Sequence, residues 1–365
     1  MTNKFLANQE IPSFLSALAQ EYQVIAPVRR SEVLPDGSSR YSFQPLNAGP
    51  GDATGLSAAV LDYPIALNDP KKFFFPAREE LLRFQRDGSG QFGSARDLSE
   101  TIAPPPRALV GLHPCDVAAL EQLDLYFGSD RIDPYYQARR SGRLLLVAVS
   151  CLSPCSEECF CASMKTYRVD SGYDLLLTRL GEGFAATAAS ELGDQWLQRL
   201  TSLAPLDADR EELLTEVFSE IEETFAAGVA FDAAAVPRNL AKGYRDPVWR
   251  EEAERCLSCG SCNLVCPTCY CFDVFDEVDI AATEGARLRT WDGCMLKSFA
   301  EIAGGENFRA AREARLRHRI NRKGSYLHQR YGRLFCVGCG RCASACLVDI
   351  SPATIFRTLE ERYGH

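Results

Sequence analysis

Apolar residues recur at helical spacing near the start of the chain, at Ile11, Phe14, Leu15 and Leu18, and this predicts an amphipathic helix. Gln23 to Val28 reads as a strand. Pro35-Asp36-Gly37 then lies between Glu32-Val33-Leu34 and the alternating Tyr41, Phe43 and Pro45, which predicts a hairpin. Two short aliphatic runs, Ala108 to Leu112 and Arg143 to Ser150, fit buried strands, and Val117 to Leu125 between them fits a crossover helix capped by Asp116. Tyr173 to Thr178 and Gly183 to Thr187, split by Gly181, predict a second hairpin. Helices are expected over 189–203 and 208–225, the latter with an apolar stripe of Leu213, Leu214, Val217, Ile221 and Phe225.

Ala226 to Pro237 is rich in small residues and has no period, so a domain boundary is expected near residue 235. Asp246-Pro247 supplies an N-cap and a first-turn proline for a helix leading to Cys256. The expected fold class is α+β: an N-terminal α/β domain over 1–235, then a mainly helical ferredoxin-type domain over 236–365. The latter draws its extra helices from the segment between its two cysteine runs. Gly88-Ser-Gly-Gln-Phe-Gly93 matches a dinucleotide fingerprint, but it follows a polar, helix-like stretch, Arg78 to Asp87, and reads as a turn.

At 365 residues, with 46% hydrophobic and 24% charged residues, the composition is that of a folded, water-soluble chain. The apolar run Leu144 to Val149 is too short to span a bilayer. A net charge of -9 argues against nucleic acid as the partner. The first residues have no apolar signal region, so the 16 cysteines are expected in reducing cytoplasm and not in disulfides.

Those cysteines carry the chemistry. Cys256, Cys259, Cys262 and Cys266, and again Cys336, Cys339, Cys342 and Cys346, read C-x2-C-x2-C-x3-C. This is the run that holds 4Fe-4S clusters in bacterial ferredoxins, where each fourth cysteine ligates the other cluster. The expected ligand sets are therefore Cys256, Cys259, Cys262 and Cys346 for one cluster, and Cys336, Cys339, Cys342 and Cys266 for the second. Pro267 follows the first run as in ferredoxins, whereas Leu347 departs from the pattern in the second. Structural zinc sites are the competing reading, but zinc gives no reason for four cysteines in one tight, repeated run.

Cys115 and Cys151 each follow a predicted strand, and Cys159 and Cys161 come soon after. If the strands are parallel neighbours, these four thiols meet at their carboxyl ends and could hold a third cluster. Inert core cysteines are the alternative, and Cys155 is the less favoured substitute ligand. Cys269, Cys271 and Cys294 fall one ligand short of a fourth 4Fe-4S cluster unless Cys155, a non-cysteine ligand or another chain completes it. The basic stretch Arg309, Arg312, Arg315, Arg317, Arg319, Arg322 and Lys323 reads by default as a solvated helix face. It could instead offset cluster charge, and it lacks the stacking aromatics of a nucleic-acid groove.

Cys256-Leu-Ser-Cys-Gly-Ser-Cys-Asn-Leu-Val-Cys-Pro-Thr-Cys-Tyr-Cys-Phe-Asp273, Trp291-Asp-Gly-Cys294, Ala303-Gly-Gly-Glu-Asn-Phe308 and Cys336-Val-Gly-Cys-Gly-Arg-Cys342 together resemble a known family. It is the 4Fe-4S dicluster family shared by anaerobic sulfite reductases and the beta subunits of sulfhydrogenases. Lys71-Lys-Phe-Phe-Phe-Pro76, His113-Pro-Cys-Asp116 and Cys159-Phe-Cys-Ala-Ser-Met164 look like its N-terminal signatures. The resemblance implies a cytoplasmic electron relay that links a flavin-containing, NAD(P)H-linked subunit to a catalytic subunit carrying siroheme or nickel-iron. No catalytic residue stands out, which favours a conduit over a self-contained enzyme. A substrate-binding N-terminal cluster and a nucleic-acid protein with structural clusters are the competing functions.

Overall fold

The computed structural model describes residues 3–33, 39–46, 60–68, 70–86, 90–91, 96–129 and 132–365. Its strands in chain order are β1 (Asn3–Ala7), β2 (Gln23–Val33), β3 (Ser39–Pro45), β4 (Ala66–Asn68), β5 (Arg78–Gln85), β6 (Arg96–Asp97), β7 (Arg107–Leu112), β8 (Leu144–Val149), β9 (Leu175–Leu180), β10 (Gly183–Ala188), β11 (Phe272–Val278) and β12 (Glu284–Trp291). One mixed sheet has the order β1-β10-β9-β8-β7-β2-β3-β4. Its centre is parallel, β2 with β7, β7 with β8 and β8 with β9. Both faces of these central strands are covered, which is why Arg107–Leu112 reads as a continuous buried run and not as an alternation.

The helix Ile11–Ala19 buries Ile11, Phe14, Leu15 and Leu18 against one face of that sheet, as their spacing predicts. The other face packs on helix Pro114–Gly128, which connects β7 to the adjacent parallel strand β8. His113, not Asp116, is the N-cap of that helix; Asp116 instead accepts the His113 backbone N–H at 3.2 Å. Strands β2 and β3 pair as the expected hairpin, and β9 pairs with β10. The Pro35-Asp36-Gly37 turn and most of Gly88–Gly93 lie outside the described residues.

A second sheet, β11-β12-β5-β6, departs from the helical expectation in two places. The stretch from Arg78 forms a strand, and the segment between the cysteine runs forms the β11–β12 hairpin. The reason is tertiary: β5 pairs with β12, and Arg289 of β12 bonds Glu79 of β5 at 2.5 Å in the buried interior. Arg139 also pairs with Glu79, at 2.7 Å. A strand that satisfies buried charges across the sheet carries no apolar alternation for sequence to display. This sheet joins residues from either side of position 235.

The remaining C-terminal helices, Val236–Lys242, Val248–Arg255, Arg312–Asn321 and Pro352–Tyr363, pack around a cluster containing Trp249, Leu240, Ile320 and Phe356. Asp246 accepts the Val248 N–H at 2.8 Å, and Trp249 donates its indole N–H to the Gly243 carbonyl at 2.8 Å. The start of the helix that leads to Cys256 is thereby held in place.

Candidate metal centres

The two cysteine runs fold alike. Each ends in one turn of helix, Ser261–Leu264 and Arg341–Ser344, entered through Gly260 and Gly340 with φ of 76° and 73°. Ser258 and Gly338 occupy the same left-handed region at matching positions, φ 53° and 63°. These positive angles wind the chain tightly between successive cysteines. The two short helices pack side by side. This contact brings Cys346 to the first run and Cys266 to the second.

Cys256, Cys259, Cys262 and Cys346 line one small cavity. Cys266, Cys336, Cys339 and Cys342 line another. Each cavity therefore gathers three thiols of one run and the fourth of the other. Among the described residues no three Cys, His, Asp or Glu side chains are placed to hold a single metal ion; these thiols surround spaces instead. Sulfur also receives hydrogen bonds: the N–H groups of Ser258 and Ile350 donate to Cys256 and Cys346, each at 3.4 Å. Burial holds the Cys262 and Cys336 thiols at about 12, so a bound positive centre would be needed to make them thiolates at neutral pH.

The basic stretch turns inward. Arg315, Arg319 and Lys323 recur every four residues on one side of the helical segment and are all buried. The default reading of a solvated face fails at these three positions, which a nucleic-acid backbone could not reach. Arg319 is 3% exposed and Lys323 7%. No carboxylate pairs with either among the described residues: Lys323 donates to Thr268 Oγ1 at 2.6 Å, Arg319 to the Cys262 carbonyl at 3.4 Å, and Arg319 Nε is without a partner. The thiols of Cys262, Cys342, Cys269 and Cys266 act on Arg319, and those of Cys266, Cys269 and Cys336 on Lys323, which also feels the like charge of Arg319. Two adjacent buried cations with thiols around them and no carboxylate partner fit anionic thiolate-ligated groups, because an uncompensated buried charge costs several kcal/mol, about 3–5 when a partner is missing. The donor set and its charge thus fit iron-sulfur clusters.

The N-terminal cysteines also converge, and in a larger group than expected. Cys115 lies in the first turn after β7 and Cys151 just beyond β8. Cys159 and Cys161 have Sγ atoms 3.1 Å apart, and Cys155 shares a hydrogen bond with Cys159. Hydrogen bonds from the thiols of Cys155 and Cys161 hold Cys159 well below the usual thiol range, while burial pushes Cys115 well up. Cys155 therefore belongs to the group; its place, four residues past Cys151 in a loop, gave no periodic signal.

This group abuts the second run. Cβ atoms added at Gly338 and Gly340 would come within 2.6 Å of the Phe160 carbonyl and 2.7 Å of the Glu158 backbone. Phe160 donates its N–H to the Gly338 carbonyl at 2.8 Å, and Cys115 packs against Val337 and Cys339. Arg341 and Asp116, both 0% exposed, meet at 2.7 Å. At the far end, the first cavity reaches the surface: Cys259 is exposed, with Leu257 at 57% and Leu347 at 79%.

Crossed thiol sets around paired cavities, with buried cations between them, define a ferredoxin-type iron-sulfur protein. Residues 255–350 match the 4Fe-4S dicluster domain family. The whole chain is similar to sulfhydrogenase 2 subunit beta of Pyrococcus furiosus, 31% identical over 366 aligned positions covering 98% of each chain. No solved structure matches. The chain belongs to the 4Fe-4S dicluster family shared by sulfhydrogenase beta subunits and anaerobic sulfite reductases. It is an iron-sulfur electron-transfer subunit, and no helix among the described residues is long and apolar enough to cross a membrane.

Proposed function

We propose that the chain conducts single electrons between a flavin subunit that meets NAD(P)H and a catalytic subunit carrying siroheme or nickel-iron, in a cytoplasmic complex. Cys256, Cys259, Cys262 and Cys346 hold one 4Fe-4S cluster, and Cys336, Cys339, Cys342 and Cys266 the second. Cys115, Cys151, Cys159 and Cys161 hold a third, with Cys155 beside them. Each cluster, when bound, takes up and releases one electron. The observation that carries the reading is the pair of adjacent buried cations, Arg319 and Lys323, set among thiols with no carboxylate partner among the described residues.

The protein's own part is to position and tune. Arg319 and Lys323 favour the more reduced, more negative state, and N–H donors to sulfur act in the same direction. Gly338 and Gly340 let the N-terminal group approach the second run closely, so the second run stands between the N-terminal site and the first run. Exposed Leu257 and Leu347 at the rim of the first cavity give a partner an apolar landing surface beside Cys259. A second reading, substrate binding at the N-terminal centre, is favoured by one observation: a cavity beside it is lined by Cys151, Tyr167, Arg168, Tyr173 and Glu222.

Anaerobic purification tests the main reading. The relay requires iron and sulfide at about 12 irons per chain from these three sites, or about 8 from the ferredoxin pair alone, before any further centre is counted. It also requires dye-linked electron transfer without NAD(P)H oxidation until a flavoprotein is added. Stoichiometric zinc with little iron, or NAD(P)H turnover by the chain alone, would overturn it.

A further inference from the structure

Three cysteines remain outside the assignments above, and the fold collects them. Cys271 immediately precedes β11 and Cys294 lies three residues past β12. The hairpin pairs Phe272 with Trp291, and the Asp292 N–H donates to the Cys271 carbonyl at 3.0 Å, so the two thiols meet at the open end of one ladder. Cys269 joins them through Asn263, whose amide Nδ2 lies 3.7 Å from Cys269 Sγ and 3.5 Å from Cys294 Sγ. Asn263 is itself buried, and its Oδ1 accepts the Met295 N–H at 3.1 Å. A Cβ at Gly293 would stand 2.7 Å from Asn263 Oδ1, so glycine is what lets the Cys294 loop come this close.

The central residue of Cys269-Tyr270-Cys271 explains the direction of the flanking thiols. Tyr270 is buried and stacks on Tyr126 with ring centroids 3.5 Å apart. Sending the middle side chain into the core turns its two neighbours to the opposite side. The N-terminal group is built the same way: Phe160 is buried against Phe231 between Cys159 and Cys161. Positive charge is in place as well. Lys71, buried and 4.0 Å above the Trp291 ring, donates to the carbonyls of Cys266 at 2.9 Å and Cys269 at 3.2 Å.

We infer that Cys269, Cys271 and Cys294 hold a further iron-sulfur cluster through three thiolates, beside the second ferredoxin-type centre. The inference rests on the iron-sulfur reading of the chain, and it differs in kind from the other centres because one corner of a four-iron cluster has no cysteine. Three thiolates also suit a three-iron cluster, and the two forms share this ligand set. Lys71 offsets the added negative charge, and Asn263 supplies hydrogen bonds to two of the sulfurs.

The test compares full-length wild-type chain with Cys271→Ala, Cys294→Ala and the double variant, all purified and reconstituted anaerobically. The double variant should lose about three to four irons per chain and one component of the Mössbauer and EPR spectra, with the ferredoxin-pair components retained. In wild type, Cys269, Cys271 and Cys294 should resist alkylation until the iron is chelated, a measurement that does not depend on the variants folding. Unchanged iron and spectra in the double variant, or ready labelling of these thiols in iron-loaded wild type, would overturn the inference and leave the wider reading intact. Wild type with little iron would instead remove both.

Discussion

The contact between Arg341 and Asp116 offers a direct measure of how firmly the N-terminal cysteine group is fastened to the ferredoxin-type runs. Asp116 follows Cys115, and Arg341 lies between Cys339 and Cys342. Both side chains are fully buried, at 2.7 Å, and Arg341 Nε also donates to the Ala66 carbonyl at 2.6 Å. Asp116→Asn keeps the shape and an acceptor for the His113 N–H but leaves the guanidinium without its counter-charge. Breaking a buried pair by removing one partner costs about 3–5 kcal/mol, and the retained acceptor should bring this to about 2–4. Arg341→Met should cost about 3–5 kcal/mol, and the double variant less than the sum, with a coupling of about 1–3 kcal/mol. The assay is anaerobic urea unfolding at matched iron content, followed by tryptophan fluorescence and cluster absorbance together, because metal-bound proteins need not unfold in one step. Single variants each costing under about 1 kcal/mol, or strict additivity, would refute the claim that this pair joins the two sites.

Three further outcomes are expected. Gly340→Ala puts a side chain at φ 73° and 2.7 Å from the Glu158 backbone, so it should cost about 2–4 kcal/mol and slow electron exchange between the N-terminal and second centres; an unchanged melting midpoint and unchanged spin coupling by EPR would count against the close approach. Lys323→Met should make one ferredoxin-type centre harder to reduce, by tens of millivolts in a redox titration, and an unshifted potential would show that this cation is not felt by a cluster. Burial, with Arg309 adding to it, holds His318 at about 4, below its unfolded value of 6.5. Its contribution is therefore complete above pH 6.5 and lost as pH falls towards 4. After discounting for partial exposure, His318→Gln should flatten the acid-side loss by about 1 kcal/mol between pH 7 and 5, measured as the difference between melting curves of the two proteins; parallel curves would refute it.

Local spacing carried the parts of this protein that are local. A period of 3.6 placed the helix over Ile11–Ala19, unbroken aliphatic runs placed β7 and β8, and C-x2-C-x2-C-x3-C marked the eight thiols that line the two crossed cavities. Such signals survive in sequence because burial of one helix face, or ligation of one compact group, constrains residues only a few positions apart. The strand β5 was hidden because its buried charge is satisfied by a partner about 200 residues away, Glu79 by Arg289, and the β11–β12 hairpin because β11 lies mostly exposed and pairs its charges across the hairpin, Asp276 with Arg287. Composition reads such positions as surface. The same holds for Arg319 and Lys323. A run of seven cations looks solvated until packing decides which side of the helix faces the thiols, and charge becomes functional only where neighbouring segments have excluded water. Lys71 and the Asp116–Arg341 pair likewise acquire their surroundings from chain segments far apart in sequence. The available chemistry, thiols in cluster-forming runs, is legible from residue order alone. Which thiols stand together, and which cations are buried among them, follows from packing, because burial and distance are properties of the packed chain.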